Sequence, residues 1–268
     1  MDKTKQSPKP RLIYLAHSPS TQAVLWLLEE LEIEYDITIF DRPLDKKAVG
    51  LGETHIQAHA PQLILPDGQV ITQMSACMLY LVLTYDTERT FHKTDVEYRV
   101  REDYLVSLAT ADLVARLGTK HLFMVLGAVT PFFISPAIKV LGYVLNKAFL
   151  DEDVNNALHV VEMELDGREW IMGGDAPSRA DMALKIALDM AVQPNLIEID
   201  KWPRVKAWLE RCEARPAWKR SLDKGIGYQL DWNARLRESK KSGSWTWMWV
   251  PVALTVAGVS YFAAYGTW

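Results

Sequence analysis

Residues 11–31, RLIYLAHSPSTQAVLWLLEEL, set the terms for the rest of the chain. Residues 12–16 read as a short apolar strand, 17–20 as a tight polar turn and 21–31 as an apolar helix. In that helix Val24, Leu25, Leu27, Leu28 and Leu31 recur at helical spacing, which leaves Glu29, Glu30 and Glu32 for the wet side. Residues 33–39 alternate apolar and polar with period two, the mark of a half-buried strand. Strand, crossover helix and strand make a βαβ unit, expected to be parallel and right-handed. The turn opens onto a helix N-terminus, whose unpaired N–H groups and partial positive charge suit an anion, a thiolate included. Ser18 therefore has two readings. It is an N-cap followed by a first-turn proline, or a hydroxyl that donates to a bound thiolate.

Beyond residue 40 the pattern is weaker, and 41–59 reads as a short helix or an irregular loop. QLILPDGQVIT (62–72) places Pro66-Asp67-Gly68 between two apolar runs, a hairpin signal. Residues 74–83 have the density of a buried helix. The order β-α-β-(α)-β-β-α is that of a thioredoxin-like half domain, ending near residue 85. A charged stretch, 86–97, reads as a linker. From 98 onward only helical patterns occur: 98–117, 151–165, 182–192 and 203–215. The stretch 121–138 has no Asp, Glu, Lys or Arg, but Pro131 and Pro136 break it. It reads as two helices meeting at a bend that lines an apolar cavity, with a surface-dipping segment as the other reading.

Charge and cysteine content narrow the function classes. A formal charge of -4 argues against a nucleic-acid partner, which needs a basic face. Two cysteines, Cys77 and Cys212, make no disulfide framework. The first ten residues are polar and lack the apolar run of a secretory signal. No charged residue follows Lys241, and residues 245–268 read WTWMWVPVALTVAGVSYFAAYGTW. About 20 apolar residues cross a bilayer as a helix. The tryptophans at one end and Tyr265 and Trp268 at the other suit the two interfaces, with Arg235, Arg237, Lys240 and Lys241 on the cytoplasmic side. The expectation is a tail-anchored protein of the endoplasmic reticulum, or secondarily of the outer mitochondrial membrane, its body in the cytosol. The bland alternative is a buried C-terminal helix.

An α/β half with a serine-bearing strand–helix turn, followed by an all-helical half, resembles the cytosolic glutathione transferases. It looks most like a fungal serine-type branch associated with the endoplasmic reticulum. Three stretches carry the likeness besides the turn. In HIQAHAPQL (55–63), Ala60-Pro61 stands where the family has a cis-proline loop that receives the cysteinyl part of glutathione. His59 stands where a basic residue often faces the glycyl carboxylate. Gln73-Met74-Ser75 stands where the family receives the γ-glutamyl end, with Met74 in the usual place of a serine and Ser75 one position late. Ser178-Arg179-Ala180-Asp181 is a capping box. His55 and His59 at i, i+4 also have the spacing of a metal pair, without a third ligand; no metal is expected.

The resemblance, which covers roughly residues 12–218, implies a homodimer with a glutathione-binding domain (11–85) and a helical substrate domain (98–225); composition adds a flexible lead (1–10), a charged linker (86–97), a basic juxtamembrane linker (226–244) and the anchor (245–268). The resemblance also implies that a serine hydroxyl stabilises the glutathione thiolate, which attacks an apolar electrophile in detoxification or secondary metabolism, with peroxidase activity as an extension. Ser18 is the first candidate, Ser20 the second and Thr21 the third. Cys77 reads as inert packing and Tyr14 as strand core. Tyr104, Phe123 and Phe132 are candidates for the substrate pocket. The competing reading is a membrane-tethered carrier or scaffold in which Met74 marks a decayed site.

Overall fold

The computed structural model describes residues 9–42, 48, 50–91, 93–231 and 234–236. Residues 1–8 of the expected lead, and the expected anchor over 245–268, lie outside these. Among the described residues no helix is long and apolar enough to cross a membrane.

The N-terminal half is a four-stranded sheet in the order β2-β1-β3-β4, formed by β1 (Arg11–Leu15), β2 (Asp36–Phe40), β3 (Gln62–Ile64) and β4 (Val70–Thr72). As expected, β1 runs parallel to β2, and β3–β4 is an antiparallel hairpin turning at Gly68, whose φ is 89°. The residues just before β1 are tied down: Pro10 O accepts from Asp36 N at 2.9 Å and Lys9 pairs with Asp36. Helix α1 (Pro19–Glu30) runs between the sheet and the helical half, touching β1, α3 (Met74–Tyr85) and two later helices.

That position overturns the expectation that its glutamates face water. Residues 21–29 of α1 are all buried. Glu29 is 4% exposed and pairs with Arg220 and Lys224. Glu30 receives a two-pronged bond from Arg215, 2.6 Å at each oxygen, and one from Trp26 Nε1. These acids join the two halves of the molecule rather than solubilising one.

The second half is helical: α4 (Val96–Ser107), α5 (Val114–Val129), α6 (Ser135–Leu145), α7 (Asp151–Glu164), α8 (Arg179–Val192), α9 (Pro203–Ala214) and α10 (Pro216–Lys224). A π-helical turn, Leu108–Leu113, joins α4 to α5, so the expected single helix over 98–117 is two with a change of phase. The bend expected at Pro131 is present between α5 and α6. The capping box forms as read. Ser178 Oγ accepts from Asp181 N, and the buried Asp181 carboxylate accepts from Ser178 N, Ile171 N and Trp208 Nε1. Arg179 crosses to the buried Glu102 on α4 at 2.6 and 3.0 Å.

The segment after α10 is not a free basic linker in its first part. Tyr228 donates to Asp189 at 2.7 Å, Leu230 is buried, and the Arg235 guanidinium donates to Arg42 O at 2.8 Å. Arg235 is committed to the fold rather than to a membrane flank.

Candidate functional site

The turn after β1 is built by its neighbours. His17 adopts a left-handed φ of 56°, and Ser18 N donates back to Leu15 O, which turns the chain into α1. Ser18 is 5% exposed, and its Oγ accepts from Thr21 N at 3.4 Å. Pro19 occupies the first helical position. Ser18 is thus the cap. Ser20, half-buried in the first turn of α1, points to a cavity of about 350 Å³.

That cavity gathers most of the residues singled out from sequence. Its N-terminal wall is Ser20, the loop His59-Ala60-Pro61 and the helix start Gln73-Met74-Ser75. The Ala60-Pro61 bond is cis. Gln73 sits at φ 72°, uncommon for a non-glycine residue and typical of functional sites. It immediately precedes α3, whose first-turn N–H groups have no intrahelical acceptor. The Met74 side chain is only 4% exposed and belongs to the core, while Ser75 is half-buried.

The opposite wall was not anticipated. Thr110 and Val114 come from the π-turn and the start of α5, and Ile186 from α8. Thr110 donates to Val106 O at 2.8 Å. The three aromatic candidates are elsewhere. Tyr104 is half exposed on α4, Phe132 is 88% exposed in the α5–α6 bend, and Phe123 lies against Gly142 of α6. None lines the cavity, and the bend does not either.

Gln62 is a positioning residue that sequence reading missed. Fully buried on β3, it donates to Leu51 O at 3.1 Å and His59 O at 2.8 Å, and accepts from Thr54. It pins the loop that carries Ala60-Pro61 to α2 (Leu51–Thr54). An amide at the first residue of a strand, next to the proline, is the signal that marked it.

Other candidates resolve simply. Burial pushes the Cys77 thiol up to about 12, so it is no nucleophile at neutral pH. Tyr14 donates to Gln22, and Gln22 donates to Ser221, a buried relay that ties β1 to α10. His55 follows the end of α2 and accepts from Gln57 N, so the i, i+4 spacing of His55 and His59 is not a helical one. Among the described residues no group of three His, Cys, Asp or Glu side chains is placed to hold a metal ion.

Residues 17–82 match the family described as glutathione S-transferase, N-terminal domain, and residues 145–216 match glutathione S-transferase, C-terminal domain. The chain belongs to the glutathione S-transferase family. It is 22% identical to glutathione S-transferase 3 of Schizosaccharomyces pombe over 80% of this chain and 86% of that protein. It is 21% identical to glutathione S-transferase 1 of Saccharomyces cerevisiae over 81% of this chain and 95% of that one. The fold is that of Ure2p5 from Phanerochaete chrysosporium cocrystallised with 1-(S-glutathionyl)-2,4-dinitrobenzene. The TM-score is 0.63 at 21% identity, covering 82% of this chain and 96% of that one.

Proposed function

We propose that the cavity between the two halves binds glutathione and that the chain conjugates it, through its sulfur, to apolar electrophiles. The observation that carries this reading is that Ser20, the cis Ala60-Pro61 loop and the start of α3 line one cavity. The backbone of Ala60 would take the cysteinyl part. The γ-glutamyl carboxylate would meet the first-turn N–H groups of α3 and the Ser75 hydroxyl, with Gln73 beside it. Sulfur would then lie at the start of α1, where the Ser20 hydroxyl donates to it.

A free thiol is mostly protonated at neutral pH, and a hydrogen bond to the anion lowers its pKa. The thiol proton leaves to solvent. Sulfur forms a bond to the electrophilic carbon, and the leaving group departs with its electron pair. Thr110, Val114 and Ile186 form the wall against which an apolar co-substrate would lie. The test is conjugation of glutathione to 1-chloro-2,4-dinitrobenzene by the full chain. Absence of both turnover and binding to glutathione would sink the reading.

One observation favours a carrier instead. Methionine at 74 supplies no side-chain hydrogen bond at the γ-glutamyl end. On that reading glutathione causes no thermal shift, while apolar ligands do.

The uncharged run 245–268 is read as a tail anchor, in the endoplasmic reticulum before the outer mitochondrial membrane. Pairing of two copies is supported by the exposed Val96 and Val100 on α4, beside Leu79, Arg99 and Asp103. Light scattering of the full chain in mild detergent tests the pairing.

A further inference from the structure

The residue just before the serine turn, His17, is clamped from two sides. It takes a left-handed φ of 56°, a conformation in which Asn, Asp and His are enriched. On one side Arg42 Nη1 donates to His17 O at 3.3 Å, and Ala16 N donates to Phe40 O at 2.9 Å, which ties the turn to the end of β2. On the other side the strap after α10 lies on the ring. Gly227 comes so close that a Cβ there would meet His17 Cε1 and Nε2 at 2.7 Å. Gln229 N is shared between Gly227 O at 2.9 Å and His17 Nδ1 at 3.4 Å.

The strap is itself held. Tyr228 donates to Asp189 on α8 at 2.7 Å, and Leu230 N donates to Gln193, just after α8, at 2.7 Å. Asp189 lies about one turn beyond Ile186, which lines the cavity. Further along, the Arg235 guanidinium donates to Arg42 O at 2.8 Å, which closes a circuit from the strap through Arg42 back to His17 O. The start of α1 needs this support. Its cap bond, Thr21 N to Ser18 Oγ, is 3.4 Å long, against an ordinary length of about 2.9–3.0 Å. Ser20 sits in that first turn, so the direction of its hydroxyl follows the dihedrals of residues 17–19.

We propose that His17 is a positioning residue for thiolate activation: with the strap over its ring, it fixes the first turn of α1 so that the Ser20 hydroxyl meets the sulfur. This rests on the reading of the cavity as a glutathione site and adds the part of the chain that sets its geometry. His17 is not among the residues lining the cavity, so it acts through Ser20. A displacement of about 1 Å at a reacting group costs up to about 100-fold in rate. A clamp on the turn therefore acts on turnover, while affinity comes from the cis loop and the start of α3.

The test compares the full chain with His17→Gly, His17→Asn, Gly227→Ala and the double variant His17→Gly with Gly227→Ala. Conjugation to 1-chloro-2,4-dinitrobenzene gives kcat and KM for glutathione. Ultraviolet difference titration gives the pKa of the bound glutathione thiol, which is read without turnover. His17→Gly keeps the backbone conformation and loses the ring. It is expected to lower kcat about tenfold and raise the pKa of the bound thiol by about 1, with KM for glutathione nearly unchanged. His17→Asn is expected to restore most of both, since asparagine tolerates the same φ and its Oδ1 takes the place of Nδ1. Gly227→Ala is expected to reproduce the His17→Gly effect. The double variant should be no worse than either single one, because the ring that the new methyl would meet is gone. A His17→Gly chain that melts lower but keeps the original kcat and thiol pKa has lost only a structural contact, and overturns the inference. A raised KM with an unchanged thiol pKa also overturns it, as do fully additive losses in the double variant. An unsubstituted chain that binds no glutathione overturns the reading of the cavity and this inference together.

Discussion

The Ser18 hydroxyl accepts from Thr21 N at 3.4 Å, while Ser20, two residues further on, lines the cavity. The two serines therefore separate by experiment. Ser18→Ala removes an N-cap and is expected to cost about 1 kcal/mol of stability with conjugation largely kept. Ser20→Ala is expected to leave stability within about 0.5 kcal/mol. It loses a hydrogen bond to a charged group, about 1.5–3 kcal/mol, so conjugation falls about 10- to 100-fold. Its pH–rate profile should shift upward, because the thiolate is no longer stabilised. The reverse pattern would return the role to Ser18.

Much of the site was legible because its signals are local. A proline after Ala60, a Pro-Asp-Gly turn and an S-x-x-D box each fix a few dihedrals or caps whatever surrounds them. Which serine lines the cavity was not legible. Pro19 at the first helical position fixes Ser18 as the cap, but only the packed position of α1 shows that Ser20 faces the cavity. The far wall was hidden for another reason. The π-turn at 108–113 carries an extra residue per turn, so periodicity counted from α4 fails in α5. Tyr104, chosen as an aromatic on a helix expected to face the cleft, precedes that turn and is half exposed on α4, and Thr110 and Val114 beyond it take the wall. The glutamates of α1 were misassigned because their partners, Arg215, Arg220 and Lys224, lie some 190 residues away in sequence.

Gln62→Leu tests the loop. Without the amide, Leu51 O and His59 O lose their donor in a buried place. The expected cost is about 1–3 kcal/mol, with glutathione affinity falling more than turnover at saturation, because Ala60-Pro61 is displaced. Equal loss of affinity for an apolar ligand and for glutathione would show a general unfolding instead. Calorimetry with each ligand distinguishes them.

Asp181→Ala removes the acceptor for Ile171 N, Ser178 N and Trp208 Nε1 at once. It is expected to destabilise by about 2–4 kcal/mol, with Asp181→Asn costing less because one oxygen remains. Surviving Ser178→Ala protein should bind glutathione normally, since the box lies outside the cavity. Urea denaturation supplies the stability and calorimetry the affinity.

Methionine at 74 cannot simply be reverted to serine. Its side chain fills the core under α3, so Met74→Ser leaves a void expected to cost about 2–4 kcal/mol. Any hydroxyl gained is offset by a loosened helix start. Thermal melts with and without glutathione read both effects. A gain in affinity with no loss of stability would mean that the side chain is not a core element.

The C-terminal strap makes stability depend on pH. His17 Nδ1 accepts from Gln229 N at 3.4 Å, and the ring sits against Gly227, whose φ is 62° and where a Cβ would meet it at 2.7 Å. Burial lowers the His17 pKa, and the nearby Arg235 lowers it further; burial also lowers that of His121. Both folded values lie below 6.5, so the unfolded chain takes up more protons as pH falls through about 6.5. The stability these neutral rings contribute is full above that pH and declines below it. The urea midpoint is therefore expected to drop between pH 7.5 and 5.5. His121→Leu should flatten the decline in part, since it removes one of the two rings. Gly227→Ala should lower stability at pH 7.5 by displacing the strap from His17, and should flatten the decline as well, because a freed His17 titrates near its ordinary value. A Gly227→Ala chain with unchanged stability and an unchanged slope would show that the strap does not hold the ring.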